Sequence, residues 1–128
     1  MAQVLLVDDD SALLEITQYL LESQGHSVAT ATNGEEALAV LMQRLNRFDL
    51  GTDLLITDLK MPSVDGLELI RRVRQSTAPV IRDIPTILMS GGPLEETQRL
   101  GIIAGADLVL PKPCDYLITA VNRVLGLR

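Results

Sequence analysis

Aromatic residues are nearly absent: the 128-residue chain has no tryptophan, one phenylalanine and two tyrosines. Its interior must therefore be packed from Leu, Ile, Val, Ala and Met. A single cysteine, Cys114, excludes an internal disulfide and suits a reducing cytosol; its thiol reads as packed and inert. Basic residues are outnumbered, with 11 Lys and Arg against 17 Asp and Glu, a net charge of −6. That balance lacks the electrostatic footprint of direct nucleic-acid binding and opposes an anionic membrane surface. Long apolar runs are missing too. The opening MAQVLLVDDD has no basic start and turns acidic after five apolar residues, so it reads as neither a signal peptide nor a membrane span. The lone histidine, His26, follows Gly25 and reads as exposed loop.

What is present is globular, with 47% hydrophobic and 22% charged residues. The length fits one domain over residues 1–128, and such a chain buries roughly two-thirds of its unfolded surface without staples. Short apolar runs predict strands at Gln3–Val7, Ser27–Ala31, Asp53–Thr57, Pro85–Ser90 and Asp107–Leu110. Between them lie helix-length segments. Ala12–Ser23 places Leu13, Ile16 and Leu20, and also Leu14 and Leu21, at helical spacing after a cap at Asp10 or Ser11. Asn33 with Glu36 opens a second helix to about Leu45. Asp65-Gly66 opens a third, with Leu67, Ile70 and Val73 turned inward. Pro93–Ala104, ended by Gly105, and Asp115–Leu125, ended by Gly126, complete the set. Gln75–Asp83 contains Pro79 and reads as a loop. The result is five strands alternating with five helices. Strands apolar throughout are covered on both faces, which predicts an α/β fold with a parallel sheet between helical layers.

Ligands of open parallel sheets bind beyond the carboxyl ends of the strands. Those ends carry Asp8, Asp9 and Asp10 after the first strand, Asp58 after the third, Ser90 at the fourth, and Lys112 between Pro111 and Pro113 after the fifth. Each has a plainer reading: a helix cap for Asp8–Asp10, a turn acid for Asp58, a turn for Ser90-Gly91-Gly92, a surface charge for Lys112. Their joint placement on one edge favours a site. Asp8, Asp9 and Asp58 together with Lys112 leave two negative charges, which one divalent cation cancels. Oxygen-only ligands select a hard ion, and few carboxylates suit Mg²⁺ better than Ca²⁺. A lysine and a hydroxyl facing a metal-bound carboxylate are the parts phosphoryl transfer uses.

LLVDDD at 5–10, TDLKMPSVDG at 57–66, ILMSGG at 87–92 and LPKP at 110–113, in that order, resemble the response-regulator receiver domain over nearly the whole chain. The resemblance implies a flavodoxin-like three-layer sandwich with strand order 2-1-3-4-5. It implies that Asp58 is the phosphoacceptor, taking a phosphoryl group from a sensor histidine kinase or histidine phosphotransfer protein. Asp9 would then bind Mg²⁺ directly, Asp8 through water, and Lys60 through its backbone carbonyl. Lys112 would pair with the phosphoryl group and Ser90 would move to hydrogen-bond it. The Lys112–Pro113 bond would be cis. Switched binding of an unidentified downstream protein would follow in the cytoplasm, with no enzymatic activity beyond self-phosphorylation and auto-dephosphorylation.

The resemblance has departures. Val109 stands where the family usually has Tyr or Phe, and Cys114 where Phe is common. Arg44–Thr52 and Ser76–Asp83 are a few residues longer than usual. Two rival functions remain at this point. A Mg²⁺-dependent phosphatase with an Asp nucleophile would need a second acid two residues after Asp58, where Lys60 stands. A receiver-like module that no longer takes phosphate is disfavoured by the Asp58, Asp9 and Lys112 set and kept open by Val109. The contact face implied for a partner includes Glu95, Arg99, Tyr116 and Arg123, with Tyr116 equally a core or boundary residue.

Overall fold

A computed structural model describes residues 2–45, 51–112 and 115–126. Five strands, β1 (Gln3–Val7), β2 (Ser27–Ala31), β3 (Leu54–Asp58), β4 (Thr86–Ser90) and β5 (Leu108–Pro111), form one parallel sheet in the order β2-β1-β3-β4-β5. The helices are α1 (Ser11–Ser23), α2 (Gly34–Gln43), α3 (Gly66–Arg74), α4 (Pro79–Arg82), α5 (Leu94–Ala104) and α6 (Leu117–Val124). Leu14 and Leu21 of α1 and Leu117, Ala120 and Val121 of α6 cover one face of the sheet, against Val4, Leu6, Leu54, Ile56 and Ile87. Ala37 and Leu41 of α2, Leu69 and Val73 of α3 and Ile81 of α4 cover the other, against Leu5, Val7 and Leu55. Val109, Leu88 and Ile70 form a third cluster with Ala104 of α5. Aliphatic burial of this kind is worth about 1.5–3 kcal/mol per large side chain. No described helix is long and apolar enough to cross a membrane.

The described residues hold six helices, not five. α4 lies inside the segment that reads as a loop. Pro79 occupies its first turn, where a missing N–H has no partner to lose, and Ile81 anchors it in the core. His26 is also not exposed. It is 6% accessible, and its Nδ1 accepts the Ala2 N–H at 3.2 Å. Burial holds its pKa below the usual histidine value, which keeps that nitrogen free to accept. In α1 the Leu14 and Leu21 stripe faces the core, whereas Ile16 and Leu20 are 58% and 45% exposed. In α3, Leu69 joins Ile70 and Val73 in full burial, and Leu67 is only partly buried. Pro113 and Cys114 lie outside the described residues, and with them the expectations of a cis bond and an inert thiol.

Caps fix where the helices start. Asp10, not Ser11, caps α1 by accepting the Ala12 and Leu13 N–H groups at 3.1 Å. Asn33 caps α2 through Glu36 N–H, and the Glu36 carboxylate returns to the Thr32 N–H. Asp65 caps α3 through Glu68 N–H.

Candidate functional site

Parallel register brings the polar strand ends together. Val7 pairs with Thr57, Asp58 with Met89 and Ser90 with Pro111. Asp8, Asp58, Ser90 and Lys112 therefore stand on one edge, where the chain order reverses between β1 and β3. Asp8 and Asp58 are 7% and 8% accessible. The Lys112 ammonium bridges them, donating to Asp8 Oδ2 at 2.9 Å and to Asp58 Oδ2 at 3.0 Å. The remaining carboxylate oxygens are also engaged: Asp8 Oδ1 accepts the Asp10 N–H and Asp58 Oδ1 the Leu59 N–H, each at 2.9 Å.

Burial pushes the Asp58 carboxyl above its ordinary range, although Lys112 works against the shift. Burial alone would pull Lys112 down. Its hydrogen bonds to Asp8 and Asp58 outweigh that and hold the ammonium above the usual lysine value. The two shifts have opposite balances: burial prevails over Lys112 at Asp58, and the two carboxylates prevail over burial at Lys112.

Asp9 is exposed, yet one oxygen from each of Asp8, Asp9 and Asp58 lies within 4.8 Å of the others. Three carboxylates and one ammonium leave two uncompensated negative charges. The donor set is hard oxygen and suits a small divalent cation. Beside it opens a cavity of about 580 Å³ lined by Asp58, Lys60, Ser90, Gly91, Gly92 and Lys112. The Ser90 hydroxyl is buried at its wall, turned to Gly92 N–H (3.2 Å) and Thr97 Oγ1 (3.5 Å). Asp10 also reaches this rim, but its Oδ1 is occupied in capping α1. A second hollow of about 550 Å³ at the opposite edge, beside Asp53, Asp83 and Pro85, gathers no comparable set.

The residue-profile of the response regulator receiver domain matches residues 4–122. The chain belongs to that family. It is 36% identical to the transcriptional regulatory protein TrcR of Mycobacterium tuberculosis over 126 residues, covering 98% of this chain and 44% of the relative. It is 36% identical to CpxR of Escherichia coli over 127 residues, covering 98% and 50%. This receiver domain thus spans about half the length of those curated relatives. A putative response regulator from Chloroflexus aurantiacus superposes with a TM-score of 0.85 at 31% identity, 98% of each chain being covered. The chemotaxis protein CheY4 of Vibrio cholerae gives 0.84 at 30%, covering 97% of this chain and 98% of its own. The flavodoxin-like fold expected of a receiver is the fold observed.

Two supporting residues escape a reading of the sequence. Thr97, in the first turn of α5, is buried against Ser90, though a threonine in a helix otherwise rich in exposed polar groups carries no signal of it. Gly66 reads as a helix start, but its role is space. Its N–H donates to Leu59 O at 2.8 Å, and a Cβ on it would sit 2.2 Å from the Asp58 carbonyl oxygen. That neighbour is backbone and cannot swing aside. Gly66→Ala is expected to cost about 1–3 kcal/mol by overpacking and to displace the strand end that carries Asp58. A urea midpoint equal to that of the unmodified chain would rule out this close approach.

Proposed function

We propose that this chain, a single receiver domain over residues 1–128, accepts a phosphoryl group on Asp58 from a phosphohistidine. The donor would be a sensor kinase or a histidine phosphotransfer protein. The observation that carries the reading is the Lys112 ammonium held between two buried carboxylates at the mouth of an open cavity. Asp58, once ionised, needs no general base. A carboxylate oxygen of Asp58 forms the new O–P bond as the N–P bond of the phosphohistidine breaks. The electron pair of the broken bond stays on the imidazole nitrogen, which then binds a proton. Lys112 faces the oxygens that gain charge.

Asp8, Asp9, Asp58 and the backbone carbonyl of Lys60 would hold Mg²⁺. When bound, it supplies charge neutralisation at the transferring oxygens. The product exchanges one negative charge for about two, with three strong acceptors. Ser90 and Lys112 gain contacts that exist only in that state, and such differential contacts shift a two-state equilibrium. The changed surface would recruit a downstream protein through the exposed face carrying Glu95, Arg99, Tyr116 and Arg123. Hydrolysis of the acyl phosphate resets it. On this reading the chain works in the cytoplasm, binds no nucleic acid directly and turns over no substrate of its own.

Incubation with acetyl phosphate and Mg²⁺ should add one phosphoryl group per chain, detected by intact mass. Chelating the metal should reduce uptake to background. A chain that stays unmodified at millimolar Mg²⁺ would sink the reading, and equal uptake in excess chelator would sink its metal requirement.

A further inference from the structure

Ser90 has one proton to give, and its place is already taken. The Thr97 hydroxyl donates to the Pro93 carbonyl at 2.9 Å. Thr97 Oγ1 can therefore only accept in its 3.5 Å contact with Ser90, which makes Ser90 the donor there. Gly92 N–H occupies an acceptor position of Ser90 Oγ. In this arrangement the Ser90 hydroxyl is directed at α5 rather than at Asp58. It cannot donate to a group on Asp58 without releasing Thr97.

Thr97 sits where α5 is least secured. The helix begins at Pro93, which offers no side-chain cap, and the Pro93 carbonyl is gripped twice by Thr97, through its N–H (3.3 Å) and its hydroxyl. The other end of α5 is tightly seated. A Cβ on Gly101 would meet Val109 Cγ2 at 2.7 Å and Leu88 Cδ2 at 3.0 Å, so helix and strand touch closely there. Val109 itself is buried in that contact, and its branched side chain has little torsional freedom. A rotamer change at residue 109 is thus not available to carry a signal into α5, whereas the hydroxyl pair at its start is.

We infer that Thr97 is a positioning residue that couples Ser90 to α5, so that a phosphoryl group on Asp58 acts on this helix by withdrawing the Ser90 hydrogen bond from Thr97. This rests on the phosphoacceptor reading of Asp58. Losing the bond leaves the first turn of α5, with the exposed Glu95 and Glu96, free to shift about its fixed Gly101 end.

The test compares amide spectra of residues 94–104 before and after treatment with acetyl phosphate and Mg²⁺, with intact mass reporting occupancy. Thr97→Val keeps the shape and removes the hydroxyl. At equal phosphoryl occupancy its α5 shift changes should fall at least threefold below those of the unmodified chain, and Thr97→Ser should restore them. In the unphosphorylated state, Ser90→Ala and Thr97→Val should displace the same α5 amides in the same direction, since each breaks the one bond from a different side. A full phosphorylation response in Thr97→Val, or unrelated displacements in the two resting variants, would overturn the coupling and leave the phosphoacceptor reading standing. An unmodified chain that takes up no phosphoryl group would overturn both.

Discussion

Asp58→Asn is expected to abolish phosphoryl uptake and, in metal-free buffer, to raise the melting temperature. The two effects have one origin. Asp58 is buried beside Asp8, with a single shared ammonium, so its charged form is disfavoured in the fold and its pKa lies above the ordinary 3.8. A carboxyl whose folded pKa is raised costs nothing below its unfolded value, where both states bind the proton. The cost grows as pH climbs from 3.8 towards the folded value and is fully present above it. Asparagine keeps the shape and removes the charge, while Lys112 retains Asp8 at 2.9 Å. The variant should therefore melt higher than the unmodified chain at neutral pH, and the gap should close on acidification through that window. Uptake by the unmodified chain should decline over the same window, because only the ionised carboxylate is a nucleophile. On the proposed reading Mg²⁺ should reverse the stability order, since it would bind the folded acid cluster and not the unfolded chain. Intact mass spectrometry and melting curves with chelator at neutral and acidic pH check all of this. Full phosphoryl occupancy in Asp58→Asn, or a lower melting temperature in chelator, would contradict the role given to the buried charge.

The site was legible because topology makes it so. A parallel sheet sends every strand's carboxyl end to one edge, so Asp8, Asp58, Ser90 and Lys112 could be grouped from sequence position alone. Strand bounds shifted by only one residue, at the starts Leu54, Thr86 and Leu108 and at the ends Asp58 and Pro111, because uninterrupted apolar runs mark doubly covered strands. What periodicity could not supply was any feature set by a partner distant in sequence. Two apolar stripes on α1 look alike until the sheet selects Leu14 and Leu21. His26 looks like loop until the left-handed Gly25, at φ 89°, turns it under Ala2. Pro79 looks like a breaker until Ile81 and an arginine from α3 fix the turn it begins. The hydroxyl relay from Ser90 to Thr97 depends on which of two groups holds the donor, and no residue pattern records that.

That arginine, Arg74, underlies the largest stability effect expected away from the site. It ends α3 at the sheet edge opposite the acidic pocket and spreads its whole fork over three segments. Nε donates to Gly105 O at 3.0 Å, Nη1 to Arg82 O at 2.8 Å and Ile84 O at 2.6 Å, and Nη2 to Thr86 Oγ1 at 3.3 Å and Asp107 Oδ2 at 3.0 Å. Asp107 Oδ2 in turn accepts the Thr86 N–H at 2.8 Å, tying the start of β4 to the turn before β5. The stem packs beneath Gly105, whose φ is 116° and where an added Cβ would lie 2.7 Å from Arg74 Cγ, so a side chain there is disfavoured on both counts. The Arg74 side chain is only 23% exposed, so these acceptors are poorly placed to find water instead. Arg74→Met keeps the stem and deletes the fork, leaving several carbonyls and one carboxylate without their donor. The expected loss is about 2–4 kcal/mol, below the figure for a fully buried pair because Asp107 remains half exposed. That is a large share of the 5–15 kcal/mol typical of a whole domain. Lysine should recover only a fraction, because a point charge cannot serve five acceptors arranged for a planar fork. Arg72→Met is the matched control. Its pair with Glu68 has both side chains more than 40% exposed and should be worth at most about 0.5 kcal/mol. Urea midpoints for the three variants decide the matter, and an Arg74→Met midpoint as close to the unmodified chain as that of Arg72→Met would mean the fork holds nothing. Because the clasp and the acidic pocket lie at opposite edges of the sheet, phosphoryl uptake per folded molecule should survive the substitution, which separates what holds this fold together from the function proposed for it.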